Sequence, residues 1–304
     1  MQNGGFRHEA LIYRDAGEFL AATVPFLQIA LEAGEPALVA VRSDNAALLK
    51  GELGAPAGAI RFADMETLGR NPARIIPFWR DFVDEHGGGP VRGIGEPVWP
   101  GRGPAEIDEC QRHESLLNVA FAAPPAWTLL CPYDAGGLDD EGLTAVAHSH
   151  RAVERDGCSE PSGDFSVEAD WFAGRLPEPP AERGYEFDRT GLFDVRQRVA
   201  WAAKNAGLAT AARTDLVVAA NELAANSIVH GGGNGTLHVW CEEDRLLVEV
   251  EDRGSIAEPL VGRVKPGPRQ VGGRGLWLAN QLCDLVQIRS DATGTAVRLQ
   301  MSVG

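Results

Sequence analysis

The chain has 304 residues, of which 44% are hydrophobic and 23% charged, and its formal net charge is −15. That length supports two ordinary domains with separate cores, and the composition is that of a folded chain, not a disordered one. A surface this acidic repels phosphate backbones and anionic lipid, which argues against direct binding of nucleic acid or membrane.

The cysteines Cys110, Cys131, Cys158, Cys241 and Cys283 are widely scattered, with no pair at metal-ligand spacing, and suit a reducing compartment. The opening MQNGGFRHEA lacks the basic-then-apolar pattern of a signal peptide. No apolar run approaches the roughly 20 residues that span a bilayer. A cytoplasmic protein is expected.

From residue 8 to about 150, short apolar runs alternate with helical patterns. LIY (11–13) and PALVAV (36–41) each precede an amphipathic stretch. IRFAD (60–64), VRGIGEP (91–97) and WTLLCPYDA (127–135) read as further strands, with helical segments at 72–86, 105–121 and 138–150. This alternation predicts a mostly parallel sheet covered by helices over residues 1–150. His8, Glu96, Arg102, His113 and Glu114 fall at the expected strand ends or helix starts. Open parallel sheets bind ligands at the carboxyl ends of their strands, so Glu96 and Trp99 are the candidates for a sensory site. Buried ion pairs, such as Arg102 with Glu106 or Glu114, account for the same residues. Cys110 and Cys131 sit in apolar contexts typical of core cysteine. In AHSHRAVERDG (147–157), His148 and His150 read as the polar end of a surface helix. No phosphate loop of the G-x-x-x-x-G-K-[ST] kind is present.

Residues 151–186 are rich in Pro, Gly, Ser and charge and read as a linker, with a short ordered piece around Asp170, Trp171 and Phe172. Over 187–304 two helix patterns (194–206 and 211–230) come first. A hairpin of TLHVWC and LLVEVE, a Gly/Pro-rich stretch, a helix in GLWLANQLCD and two last strands, LVQIRS and TAVRLQM, follow. Helices on one face of such a sheet make a two-layer α/β sandwich.

Three local patterns carry chemistry. In NELAANSIVHGGG (221–233), Glu222, Asn226 and His230 are four apart and project to one side, while Leu216, Ala220, Leu223 and Ile228 are apolar. An ordinary surface helix with a histidine near its C-terminus reads the same way. Asp252 closes the strand VEVED and Gly254 follows; such an acid can accept a hydrogen bond from an exocyclic amine, or form a common Asp-x-Gly turn. GGRGLWLANQ (272–281) sets glycines before a helix N-terminus, where backbone can approach a phosphate.

Taken in order, an ExxxN helix, a strand ending in DxG, a Gly/Pro segment, GxGL opening a helix and GT on the last strand resemble the GHKL (Bergerat) ATP-binding fold over residues 190–301. NELAANSIVHGGG and GGRGLWLANQLCD look most like the RsbW-type anti-sigma-factor serine kinases. The resemblance implies that Asn226 holds Mg²⁺ on ATP and that Glu222 is the general base for a protein hydroxyl. It implies that Asp252 binds the adenine amine, with Thr295 helping through a water and Gly254 leaving room for the base. Gly273, Arg274, Gly275 and Leu276 would form the phosphate-side lid and its anchor, with His230 as a polar contact. Arg196, with Arg198 nearby, would engage a sigma factor and a STAS-type anti-anti-sigma protein; solvated helix charge is the alternative. The family's D-x-G-x-G box departs here, since Ile256 stands at its second glycine. The lid, residues 255–272, is expected to be mobile.

RHEALIY, IGEPVWPGR, ECQRHESLLN and LLCPYDA resemble the MEDS sensory domain, itself similar to a RecA-like parallel-sheet domain. The fusion of the two resembles RsbA-family regulators. Expected is therefore a sensory α/β domain controlling an ATP/Mg²⁺-dependent domain that sequesters a sigma factor and phosphorylates Ser/Thr of an anti-anti-sigma protein. A homodimer is compatible with this class. Open alternatives are a non-catalytic ATP-dependent binding module, a metabolic enzyme in the first half, and a histidine-kinase-like protein. The last has no room for a long helical hairpin before the ATP domain.

Overall fold

The computed structural model describes residues 5–87, 89–122, 126–138, 140–167, 171–180, 184–267 and 273–303. Two units partition the chain, residues 1–168 and 169–304.

The first unit runs β1 (Arg7–Tyr13), α1 (Ala16–Ala33), β2 (Ala37–Val41), α2 (Ser43–Leu53), β3 (Arg61–Asp64), α3 (Met65–Leu68) and α4 (Ile75–Glu85). It continues through β4 (Val91–Gly95), α5 (Pro104–Ala120), β5 (Trp127–Asp134), α6 (Asp140–Ser149), β6 (Ala152–Arg155) and β7 (Cys158–Pro161). The strands form one sheet in the order β3-β2-β4-β5-β1-β6-β7. All neighbours are parallel except the β6–β7 hairpin. The interior strand β2, ALVAV, is buried at every position, as a strand covered by helices on both faces must be. The helix α1 starts where Asp15 accepts the Glu18 N–H.

Residues 152–161 were expected in a linker and instead extend this sheet. Ala10 pairs with Val153, and β7 folds back along β6. These two strands lie at the sheet edge and are half-exposed or exposed throughout, so AVER and CSEP carry no apolar alternation to announce them. Their docking also corrects the reading of His150. The Arg151 N–H donates to the His8 carbonyl and Asn118 donates to the Ser149 carbonyl, which draws His150 fully under the sheet while His148 stays exposed.

The second unit holds β8 (Tyr185–Asp188), α7 (Leu192–Asn205), α8 (Thr210–His230), β9 (Asn234–Glu242), β10 (Arg245–Asp252), α9 (Arg274–Leu282), β11 (Leu285–Asp291) and β12 (Gly294–Ser302). Its sheet, in the order β11-β12-β10-β9-β8, is antiparallel throughout. Val195, Val199 and Ala203, four apart, bury one stripe of α7; Leu216, Ala220, Leu223 and Ala224 do so for α8. They join alternate residues of the strands, Leu246, Val248 and Val250 with Val297, Leu299 and Met301, in one core. The opposite face of the sheet is polar but buried. Arg298 pairs with Glu249 at 2.6 Å and Gln300 with Gln287 at 3.0 Å. Arg298 also donates to the Pro177 carbonyl, and Phe172 is buried in the core of this unit. The later part of the expected linker therefore packs against the second unit. Asp170, named in that stretch, lies outside the described residues.

Candidate functional site

The ends of α8 and β10 are tied together. The Gly231 N–H closes α8 on the Ser227 carbonyl, and the Arg253 N–H donates to the Gly231 carbonyl at 3.2 Å. Asp252, the last residue of β10, accepts from the Ser227 hydroxyl at 2.6 Å and from the Gly254 N–H at 2.7 Å. Thr295 faces Asp252 across the β10–β12 ladder and donates to the Gly254 carbonyl at 2.9 Å. Ser290 bonds the Thr295 hydroxyl and accepts the Ile256 N–H at 2.9 Å. A Cβ on Gly254 would lie 2.8 Å from the His230 carbonyl, so the glycine is what lets β10 approach the end of α8.

Ser227, His230, Gly231, Asp252, Gly254 and Thr295 line a cavity of about 320 Å³ together with Val250, Ile256, Val261, Leu276 and Val297. Its walls are apolar and Asp252 brings a carboxylate to them. A carboxylate offers roughly four acceptor sites, and two here are used inside the protein. The remainder can take an exocyclic N–H of a flat heterocycle, the arrangement small-molecule pockets use for orientation.

On the other side stands the start of α9. Gly273, its N-cap, has φ +75°, a left-handed conformation that disfavours a side chain. A Cβ on Gly275 would fall 3.0 Å from Asn226 Nδ2 and 3.2 Å from Glu222 Oε2. The first turn of α9, the positive end of its dipole, thus abuts Asn226 and Glu222.

Asn226, His230, Asp252, Gly254, Gly273, Gly275, Leu276 and Thr295 are brought to one cavity. Glu222 stands beside Asn226 at Gly275, outside the lining, and Arg274 is exposed at the first position of α9. Arg196 is elsewhere, its Nη1 donating at 2.9 Å to Asn221, the residue before Glu222. Ile256, which stands at the second glycine of the D-x-G-x-G box, lines the cavity, and two supporting residues, Ser227 and Asn280, were not singled out from sequence. A small polar residue on a helix face otherwise filled by Leu and Ala was the available signal for Ser227.

The segment expected to be a mobile lid is anchored over its first half. Ile256 and Val261 pack against the core, and Asn280 donates to the Gly262 carbonyl at 2.9 Å. Residues 268–272, including the Gly272 of the glycine motif, lie outside the described residues.

In the first unit, Glu96 follows β4 and is fully buried. It accepts the Arg42 N–H and the Asn45 amide, each at 2.9 Å, with the Tyr13 hydroxyl at 3.3 Å. Burial pushes its carboxyl up, and these donors with the Arg42 guanidinium offset only part of that. Trp99 carries the Arg102 guanidinium 3.6 Å from its ring centre, and Arg102 donates to the Gly69 carbonyl. The pairings expected for Arg102 are thus replaced: Glu106 caps the Gly103 N–H, and Glu114 meets His8 and His150. His8 sits near the amino end of β1, and His113 and Glu114 lie inside α5, not at its start. Burial first, and then His150, lower His8 to about 4. Burial alone would raise Glu114, but the close approach of His150 and His8 outweighs it and holds the carboxyl well below its usual range.

A two-layer sandwich with its cavity between α8, the strand-end carboxylate and the N-terminus of a glycine-led helix is the class of ATP-binding domains. Residues 188–301 match the histidine kinase-like ATPase domain family, and residues 7–151 match the MEDS family, described as the methanogen/methylotroph, DcmR sensory domain. By these two matches the chain carries a MEDS-type domain and, after it, a histidine kinase-like ATPase domain. No curated protein matches it. Among solved structures, the RsbU and RsbW domains of Rv1364c from Mycobacterium tuberculosis are similar at 17% identity with a TM-score of 0.29. That match covers 67% of this chain and 49% of the other, so this chain spans about half the length of that relative. Among the described residues no helix is long and apolar enough to cross a membrane.

Proposed function

We propose that the C-terminal unit binds ATP with Mg²⁺, holds a sigma factor, and phosphorylates a serine or threonine of an anti-anti-sigma protein, under control of the N-terminal unit. The observation that carries this reading is the shared cavity, in which the buttressed carboxylate of Asp252 and the amide of Asn226 occur together with the glycines of α9. Asp252 recognises the adenine amine. The amide oxygen of Asn226 is a ligand suited to a hard cation, and Mg²⁺ supplies charge neutralisation for the phosphates. Glu222, one turn earlier on α8, accepts the proton of the attacking hydroxyl.

Partner binding is assigned to α7. Phe193 and Trp201 are 60% and 69% exposed on it, large apolar side chains without cover, with Arg196 between them. A strongly acidic chain favours encounter with a basic, DNA-directed partner. The order of motifs, which resembles RsbW-type kinases, supports the choice of sigma and anti-anti-sigma proteins.

The test is incubation of the full chain with radiolabelled ATP and candidate anti-anti-sigma proteins. Label on a serine or threonine of the partner is expected. Nucleotide binding with no transfer to any of them would favour the non-catalytic binding module instead.

A further inference from the structure

The core of the first unit gathers four metal-ligating side chains from four separate elements. His8 of β1 and Cys131 of β5 share one face of the sheet, since Ala10 pairs with Cys131 and His8 with Leu129 in the parallel ladder. Glu114 comes from α5, and His150 follows α6. The Nε2 atoms of His8 and His150 lie 3.1 and 3.0 Å from the same Glu114 oxygen, and Cys131 Sγ is 3.4 Å from His8 Nε2. All four donor atoms fall within 4.8 Å of one another, and all four residues are buried.

Hydrogen bonding alone does not explain the arrangement. His150 Nδ1 is 2.8 Å from the Val146 carbonyl, an acceptor, so this nitrogen carries the ring proton. In the neutral ring Nε2 is then a bare lone pair, and it faces a carboxylate oxygen at 3.0 Å without making a hydrogen bond. Two acceptors at that distance need a proton or a metal ion between them, and four ligand atoms converging on one point favour the metal. Zinc–nitrogen and zinc–oxygen bonds of about 2.0–2.2 Å and a zinc–sulfur bond of about 2.3 Å place tetrahedral ligand atoms roughly 3.3–3.6 Å apart. The three separations above approach those edges.

We infer that His8, Glu114, Cys131 and His150 form a buried, closed tetrahedral site for a divalent transition metal of the zinc class. Two neutral imidazoles, one carboxylate and one thiolate balance a doubly charged ion, which leaves no net charge in the core. With four protein ligands and no open position the site is structural: it pins α5 and the end of α6 onto β1 and β5. On binding, Cys131 loses its thiol proton to solvent and forms the metal–sulfur bond. A small cavity lined by Gln111, Glu114, Tyr133 and Ser149 borders the carboxylate.

The experiment uses the full chain, stripped by chelator under reducing conditions and titrated with Co²⁺ and then Zn²⁺. One equivalent of Co²⁺ is expected to bind with a thiolate-to-cobalt charge-transfer band, and Zn²⁺ should displace it. Cys131→Ser should remove that band, and Glu114→Gln should weaken binding by about tenfold or more. Cys158→Ser, at an exposed cysteine outside the cluster, should change neither. A folded chain that takes up no Co²⁺, or a band that survives Cys131→Ser, overturns the assignment. X-ray absorption at the zinc edge of the loaded wild-type chain decides the matter even where a variant does not fold. One sulfur with three nitrogen or oxygen ligands is expected, and a shell without sulfur contradicts the site.

Discussion

Asp252 is positioned by its own protein before any ligand arrives. Ser227 and the Gly254 N–H hold its two oxygens from different elements, so the carboxylate is presented at a fixed angle. Ser227→Ala should therefore act twice. It removes one donor from a half-buried carboxylate, costing about 0.5–1.5 kcal/mol of unfolding free energy in denaturant titrations, and it should weaken nucleotide binding. Gly275→Ala separates binding from stability. Alanine is a better helix former than glycine, but its Cβ would press on Asn226 and Glu222 at about 3 Å. Reduced nucleotide affinity with little change in unfolding free energy is expected; unchanged affinity would mean that the start of α9 is not part of the site. Glu222→Ala should bind ATP and lose transfer by about 10²–10⁴-fold. Retained transfer would remove Glu222 from the role of base. The Asn, Asp and glycine positions that the cavity brings together stand out in the sequence because each sits in a short motif at fixed spacing. Ser227 does not, because its function is to support another side chain, and nothing in a single sequence marks that.

Elements reveal themselves to the extent that their burial is periodic. The three helices and five strands that build the core of the second unit's sandwich place apolar residues at the helical or strand period, and they are legible in the sequence but for β8, a half-exposed strand of four residues. The same limit hid β6 and β7, which the chain adds to the sheet edge with charged and small residues. His150 was misread for a related reason: its sequence neighbours are polar, and its burial depends on Arg151 and Asn118 reaching across the fold. At the switch point of the first sheet, Glu96 offers a pH test. Burial raises its carboxyl above the unfolded value, so the folded state holds this proton more tightly. The stability it contributes is complete below the ordinary carboxyl value of about 4.3 and is lost as pH rises through the raised value. The stability of wild type relative to Glu96→Gln should therefore fall on going from acid to neutral pH. A rise would show instead that Arg42 and Asn45 stabilise the carboxylate beyond the cost of burying it.

The whole chain couples two units that each own a core, one parallel and one antiparallel, and the alternation of patterns along the sequence already divides it that way. Ligand stabilisation should then be local: ATP and Mg²⁺ at a hundred times the dissociation constant add about 2.7 kcal/mol to the unit that binds them. In thermal unfolding the transition of the ATPase unit should move up by several degrees, and Asp252→Asn should cut the shift to about half or less. The most direct measurement is calorimetric titration of the full chain with Mg²⁺ and ATP, wild type against Asp252→Asn. One site per chain is expected, weakened about 10- to 100-fold by the substitution, as the loss of a charge-assisted hydrogen bond requires. Equal affinity in the two proteins, or no binding to wild type, would contradict a nucleotide site between Asn226 and Asp252.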